Sequence, residues 1–216
     1  MTMNLWTMLS TIGQGAFITL SLSFISYGIG LILGTVLSVI RSVSSISRPL
    51  IRFLISILRG TPIILQLSVM HFVFPQITGI KMDIFVTGLI TFGINSAAYV
   101  SEILRAGIES IPKGQYEAAQ ALMIPRFYLW KDIILPQVFR AVLPTLLNEK
   151  IALLKETAII SIIGGMDIMR RADMIAAQTY DYYTPLLIAA FYYYIIVVCL
   201  ETIVFTIQKK VNHVKT

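Results

Sequence analysis

The first forty residues of the chain contain no Asp, Glu, Lys or Arg. Within them, residues 16–40 form an apolar run that can cross a bilayer, because a helix rises about 1.5 Å per residue and about 20 residues are needed. Of all 216 residues, 56% are hydrophobic and only 13% are charged, whereas soluble domains carry about 25% charged residues. The sequence therefore predicts an integral membrane protein and excludes a large soluble core.

Five segments have the length and the apolar character of membrane-spanning helices. We predict spans at about residues 16–40, 53–74, 84–107, 136–165 and 185–207. No internal repeat or low-complexity linker separates them, so residues 1–216 are predicted to form a single domain of the all-α membrane class. Pro62 is expected to break the second span near its start, because proline removes a backbone donor and kinks a helix.

The distribution of Lys and Arg predicts how the chain crosses the membrane. Basic residues are concentrated after the first span, in the loop at about residues 109–135 and in the C-terminal tail. Because cytoplasmic loops carry the excess of Lys and Arg, the N-terminus is predicted outside, and the 109–135 loop and the C-terminus inside. The formal net charge of +6 is thus a signal of membrane orientation, and we expect no nucleic-acid partner.

The sequence shows no catalytic chemistry of its own. His71 and His213 are far apart and lack the spacing of metal ligands, and Cys199 is the only cysteine. No Gly-rich phosphate loop, GxSxG or HExxH pattern occurs. We therefore expect no catalytic residue, no metal site and no cofactor in this chain.

The loop at 109–135 is predicted to contain a short helix. Strong helix formers occupy residues 115–123, after the break made by Pro112 and Gly114. The residue before a proline is disfavoured in a helix, so Pro125 should end it. Such a helix can either contact another protein or lie on the lipid headgroups; the residues alone favour neither.

Four motifs resemble one known family. Residues 117–122 are EAAQAL and residues 133–137 are IILPQ, with Glu117 and Pro136 nineteen residues apart. Residues 59–62 are RGTP and are followed by Gln66; AYVSEILRAGI stands at 98–108 and LKET at 154–157. Together they resemble the permease subunits of binding-protein-dependent ABC transporters, in particular those for polar amino acids. The resemblance covers nearly the whole chain.

The resemblance implies the fold and the function. The fold would be the five-span transmembrane domain of a type I ABC importer in a bacterial inner membrane. The chain would translocate a polar amino acid, glutamine first, with a basic amino acid or cystine as alternatives. Its partners would be an ATPase dimer that binds ATP and Mg, a second copy or a similar permease, and an extracytoplasmic binding protein. The other possibilities are an exporter, an importer of a substrate other than an amino acid, an ATP-independent carrier or channel, and a membrane scaffold. A carrier would be expected to show an internal repeat.

In this family the helix that carries EAA docks on the ATPase. The resemblance thus assigns the ATPase contact to Gln115, Tyr116, Glu117, Ala118, Ala119 and Met123. The family usually has a glycine shortly after EAA, where a left-handed residue ends the helix. Here Met123 stands instead, so we expect Pro125 to supply the stop and the docking geometry to be shifted.

Polar side chains within the spans are candidates for a substrate site, because they are costly in lipid. Asn95, Tyr99 and Glu102 are spaced i, i+4 and i+7, so they share one helix face. The full candidate set is Gln66, Asn95, Tyr99, Glu102, Lys155, Glu156, Thr157 and Ser161. A carboxylate would bind the ammonium group of an amino acid, while Lys155 and the hydroxyls would bind its carboxylate. The alternative is that these residues only hydrogen-bond between helices.

Overall fold

The structure is a computed structural model that describes residues 4–43 and 46–213, and within these ranges it contains helices and no strand. The α-helices are α1 (Leu5–Gly13), α2 (Gly15–Val43), α3 (Ser47–Gly60), α4 (Ile63–Ser68), α5 (Phe74–Thr78), α6 (Ile84–Glu109), α7 (Lys113–Ala121), α8 (Arg126–Tyr128), α9 (Leu135–Glu156), α10 (Ile168–Thr179) and α11 (Tyr183–His213). Short π-helical stretches, Val69–Val73 and Leu129–Ile134, join α4 to α5 and α8 to α9. A 3-10 helix, Thr157–Ile163, extends α9. The predicted all-α class is confirmed.

Three helical stretches in the described part of the chain are long and apolar enough to cross a membrane: Leu5–Ser42, Ile84–Glu109 and Tyr183–Lys209. The bent pair Ser47–Gly60 and Ile63–Thr78 makes a fourth if it counts as one span. The region predicted as the fourth span, 136–165, is α9 with its 3-10 extension. The count of five spans and the orientation of the termini therefore stay predictions.

The chain turns sharply at Pro62. The axes of the helices before and after it differ by 102°. Thr61 is extended, with φ −111° and ψ 142°, as expected for a residue that precedes a proline. Pro62 itself precedes the first turn of α4, where its missing N–H costs nothing. The predicted break of the second span is confirmed.

The centre of the fold is the pair formed by α2 and α6, which makes the most extensive contact between helices. The two backbones approach closely at Gly30 and Gly34. A Cβ atom at Gly30 would lie 2.7 Å from Cβ of Ser96, and one at Gly34 would lie 2.7 Å from Cβ of Val100. The hydrophobic effect does not drive helices together in lipid, because lipid tails are as apolar as the helix surface. Small residues instead let the two backbones pack closely.

A second packing contact joins α6 to α9 and supports α7. Val100 of α6 and Val138 and Val142 of α9 belong to one buried apolar cluster. Ile111, in the turn that precedes α7, belongs to the same cluster, and Tyr116 of α7 packs against it. The short helix is thus seated on the ends of two long helices.

The end of α7 corrects one prediction. Met123 takes the left-handed conformation, with φ 54°. Its N–H donates to the carbonyl of Gln120 at 3.0 Å, and the N–H of Ile124 donates to the carbonyl of Ala119 at 2.9 Å. This is the pattern that a glycine usually forms at a helix end. Met123 is 90% exposed, so the turn does not require its side chain to be buried.

The expectation that Pro125 must end α7 was therefore wrong. The helix ends at Ala121 rather than at residue 123, and its N-terminal end lies at Lys113, two residues before the predicted start. The left-handed conformation costs a non-glycine residue about 1–2 kcal/mol. Two capping hydrogen bonds offset this cost, while Pro125 serves as the cap residue before α8.

Candidate functional site

Two side-chain amides fasten the break at Pro62 to α6. Nε2 of Gln66 donates to the carbonyls of Leu58 at 2.7 Å and Thr61 at 3.1 Å, which the break leaves without helical partners. Nδ2 of Asn95 donates to Oε1 of Gln66 at 3.1 Å and to the carbonyl of Leu58 at 3.3 Å. Gln66 and Asn95 are thus brought together, and their polar groups serve the helix contact.

Glu102 lies at the centre of a cluster of arginines. Its carboxylate pairs with Arg41 of α2, with Arg105 at 3.0 Å and with Arg59 at 3.6 Å. Its side chain is only 17% exposed. Three helices, α2, α3 and α6, therefore meet at one partly buried carboxylate that forms ion pairs with three arginines.

A cavity of about 490 Å³ lies beside this cluster, between α6 and α9. Arg59, Tyr99 and Glu102 form its charged and aromatic wall, and the guanidinium carbon of Arg59 lies 5.3 Å from the centre of the Tyr99 ring. The other lining residues are Ile103, Arg105, Ala106, Gly107, Ser110, Ala141, Val142 and Thr145. Arg59 is the most exposed arginine around Glu102 and is positioned to bind an anionic group.

The second half of α9 brings two further charges into the protein. Oε1 of Glu149 accepts a hydrogen bond from Ser96 Oγ at 3.2 Å. Lys150 is 6% exposed; its ammonium group donates to Ser23 Oγ and lies 3.9 Å from the centre of the Phe24 ring. The sequence interpretation did not select these residues, although charges within an apolar segment were the available signal.

The four remaining candidates lie at the end of α9 and in its 3-10 extension. Lys155 is exposed, and Thr157 donates to the carbonyl of Leu154 at 2.7 Å, within its own helix. Ser161 is nearly buried. Glu156 lies seven residues after Glu149, and the two carboxylates are close enough to interact electrostatically. Lys155 is not among the residues that line the cavity beside Tyr99 and Glu102.

The residues assigned to ATPase contact occupy two sides of α7. Gln115, Glu117 and Ala118 are exposed. Ala119 is 2% exposed, and Tyr116 packs edge-on against Trp130, with ring centres 6.4 Å apart. One side of α7 therefore seats the helix on its own chain, while the other side is free.

The opposite end of the molecule carries one buried carboxylate outside the predicted spans. Asp167 caps α10 by accepting a hydrogen bond from the N–H of Arg170 at 2.8 Å, and it accepts another from Tyr193 Oη at 3.0 Å. Its side chain is fully buried. Burial disfavours its charged form and raises the pKa of Asp167 to about 6, although both hydrogen bonds act in the opposite direction.

Comparison with known proteins identifies the family of the chain. Residues 26–213 match the family described as "Binding-protein-dependent transport system inner membrane component". This chain belongs to that family. Its permeases are membrane subunits of ABC transport systems, so the chain is a transport subunit rather than an enzyme, and ATP is hydrolysed by a separate subunit. The resemblance and the inner-membrane location predicted from the motifs are confirmed.

Relatives of this permease have names that assign them to amino acid transport. The permease is 46% identical over 198 residues to a protein of Rickettsia prowazekii named as a glutamine transport system permease, GlnP, and the match covers 91% of each chain. It is also 46% identical over 200 residues to the arginine transport system permease protein ArtQ of Bacillus subtilis, covering 91% of this chain and 90% of that one.

Solved structures show the same fold. The permease superposes on a chain of an amino acid ABC transporter, crystallised with histidines, with a TM-score of 0.89 and 33% identity, over 97% of this chain and all of that one. A chain of the inward-facing MetNI methionine ABC transporter matches with a TM-score of 0.79 at 17% identity, which supports the fold alone. The expected type I importer fold is confirmed.

Proposed function

We propose that this permease carries a polar amino acid across the bacterial inner membrane, with glutamine as the first candidate, and that α6 couples this movement to an ATPase. The supporting observation is the continuity of α6. Tyr99 and Glu102 on this helix line the cavity. The helix then ends at Glu109, and α7 begins four residues later at Lys113. Movement of α7 would thus pass through a short turn to α6, and α6 would carry it to the cavity.

The charges around the cavity suit a zwitterion. Arg59 can bind the substrate carboxylate, because its contact with Glu102, at 3.6 Å, is looser than that of Arg105. Glu149 does not line the cavity, but Arg59 of the cavity wall is near enough to act on it electrostatically. Glu149 forms no ion pair with a basic residue among those described, so it can bind the ammonium group of a substrate held by Arg59. Candidate substrate contacts are therefore Arg59, Tyr99 and Glu149. Gln66 and Asn95 instead stabilise the break between α3 and α4 by hydrogen bonds to its backbone carbonyls.

A basic amino acid is the second candidate. Glu102 gives it little support, because three arginines compensate that carboxylate. Glu149 and Glu156 do support it, since their two carboxylates interact electrostatically and would both be attracted to a cationic side chain. The relationship to an arginine permease points the same way.

The substrate assignment is tested in proteoliposomes that contain the permease, its ATPase and its binding protein. We expect glutamine to stimulate ATP hydrolysis more than arginine, and leucine to have no effect. Stronger stimulation by arginine would replace the first candidate with the second. Uptake that continues without ATP would contradict the coupled mechanism and favour a carrier.

The ATPase contact is proposed to use the exposed side of α7, with Glu117 and Ala118 at its centre. Two ATPase subunits would bind α7 of two permease subunits on the cytoplasmic side, with the N-termini outside. Ala119 and Tyr116 would instead transmit the movement, because they pack against the chain itself.

Bulk introduced on this surface tests the contact. Ala118→Trp should release the ATPase from the purified complex and abolish coupled transport, because an exposed alanine allows a close approach that tryptophan blocks. Ala177→Trp is the matched control, since this alanine is also exposed but lies on α10. If Ala118→Trp retains the ATPase and its transport, α7 is not the coupling surface.

A further inference from the structure

Four arginines line a cleft where the ends of three helices meet. Arg41 lies near the end of α2, Arg48 and Arg52 lie one turn apart in α3, and Arg105 lies near the end of α6. The cleft has a volume of about 200 Å³. The rest of its lining is Ser38, Ser42, Ile108 and Glu109. This cleft is separate from the cavity beside Tyr99, although Arg105 borders both.

Carboxylates neutralise only part of this positive charge. Arg41 and Arg105 are engaged by acidic side chains of α6. Arg48 instead donates Nε to the backbone carbonyl of Arg41 at 3.2 Å, and Arg52 is exposed. Neither Arg48 nor Arg52 forms an ion pair with any residue that the structure describes. Two guanidinium groups therefore remain available to an anion in one place.

The cleft lies where two helices that can span a membrane end. Helices α2 and α6 both have the length and composition of a span, and the cleft is formed at the C-terminal end of each. Exposed apolar side chains adjoin the arginines in sequence on both α2 and α3, among them Val39 at 53% and Phe53 at 62% exposure. A ligand of this cleft would contact a positively charged pocket and an adjacent apolar surface.

We propose that this cleft binds the headgroup of an anionic phospholipid. Arg48 and Arg52 contact the phosphate, because guanidinium groups match its geometry and are only weakly hydrated. The acyl chains lie along the apolar surface that includes Val39 and Phe53. Basic pockets between helices at a membrane surface have the chemistry that such headgroups require. A soluble phosphate compound would use the arginines but not the apolar side chains.

An occupied cleft would also act on the end of α6. Arg105 bridges Glu102 to Glu109, and both its neighbours at the cleft, Ile108 and Glu109, immediately precede the turn into α7. A lipid held here steadies the segment that joins the cavity wall to α7. This inference does not depend on which substrate the permease carries.

Direct binding measurements test the proposal. Labelled phosphatidylglycerol is titrated into the purified permease–ATPase complex in a neutral detergent, with phosphatidylcholine as the uncharged comparison. Each basic residue at a membrane surface contributes enough that losing two weakens binding roughly 30-fold. We expect R48Q/R52Q to show this loss. We expect R48K/R52K to fall between it and the unaltered complex, because the charge is kept while the guanidinium geometry is lost. Arg140→Gln is the matched control, an exposed arginine of α9 outside the cleft.

Three results would overturn the proposal. The first is phosphatidylglycerol affinity in R48Q/R52Q equal to that of the unaltered complex. The second is equal affinity for phosphatidylcholine, which would remove the role of charge. The third is displacement of the lipid by glycerol phosphate at the same concentration, which would make a soluble anion the ligand. Failure of R48Q/R52Q to assemble is distinguished by R48K/R52K, whose affinity must still exceed that of the complex for phosphatidylcholine.

Discussion

Glu102 and Glu149 are two carboxylates on neighbouring helices with opposite surroundings. Glu102 of α6 forms ion pairs with three arginines. Glu149 of α9 accepts one hydrogen bond from Ser96 and pairs with no Lys or Arg in the described part of the chain. Both lie in segments that the sequence interpretation places in the membrane.

The difference separates a structural role from a binding role. A buried charge is tolerated when opposite charges and hydrogen bonds compensate it, and it is costly otherwise. Glu102 is compensated by three arginines, so it holds α2, α3 and α6 together. Glu149 is not, so a positively charged ligand group would improve its environment. The sequence interpretation selected Glu102 as a substrate residue and passed over Glu149.

The largest effect is expected from Glu102→Gln. This change leaves three arginines without their shared carboxylate. Because Glu102 is 17% exposed, we expect a cost between the about 3–5 kcal/mol of a fully buried ion pair and the about 0–1 kcal/mol of an exposed pair. The unfolding midpoint of the purified transporter should therefore fall steeply. Glu109→Gln is the matched control on the same helix; its side chain is 63% exposed, and an exposed pair is worth about 0–1 kcal/mol. Equal shifts in the two variants would refute the structural role of Glu102.

A smaller and different effect is expected from Glu149→Gln. The amide oxygen can still accept the hydrogen bond from Ser96, so the unfolding midpoint should change little. Loss of a charged hydrogen bond to the substrate, worth about 1.5–3 kcal/mol, should reduce transport roughly 10- to 100-fold. Transport assays in proteoliposomes measure this, with Glu201→Gln as an exposed carboxylate control. Full transport by Glu149→Gln would remove this residue from the site.

The smallest effect concerns Asp167, which lies outside the predicted spans and is buried without an ion pair among the described residues. Because the pKa of Asp167 is raised to about 6 in the folded protein, the folded state binds the proton more tightly than the unfolded state. Stability should therefore rise as pH falls through 6, by about 1 kcal/mol between about pH 7.5 and 5.5.

Chemical unfolding at the two pH values measures this slope. Asp167→Asn should flatten it, because the asparagine carries no proton that titrates in this range. A slope that persists unchanged in Asp167→Asn would show that other groups cause it. A flattened slope would show that burial without an ion pair raises the pKa of Asp167, in contrast to the paired carboxylate of Glu102.

Local features were predictable because their causes lie within a few residues. Pro62 broke the second span as expected, and α7 was found within two residues of its predicted position. The end of α7 was not predicted, since Met123 was judged by the cost of a left-handed residue alone. Its exposure and its two capping hydrogen bonds, which decide the outcome, belong to the folded chain.

By itself, the sequence determined the membrane class, the family and the presence of a short helix after α6, because composition and motifs are properties of the chain. Only the tertiary structure decided which carboxylate is neutralised. Arg41 is 61 residues from Glu102, and Ser96 is 53 residues from Glu149. Such pairs form only when the helices pack together, so the spacing of residues along the sequence does not predict them.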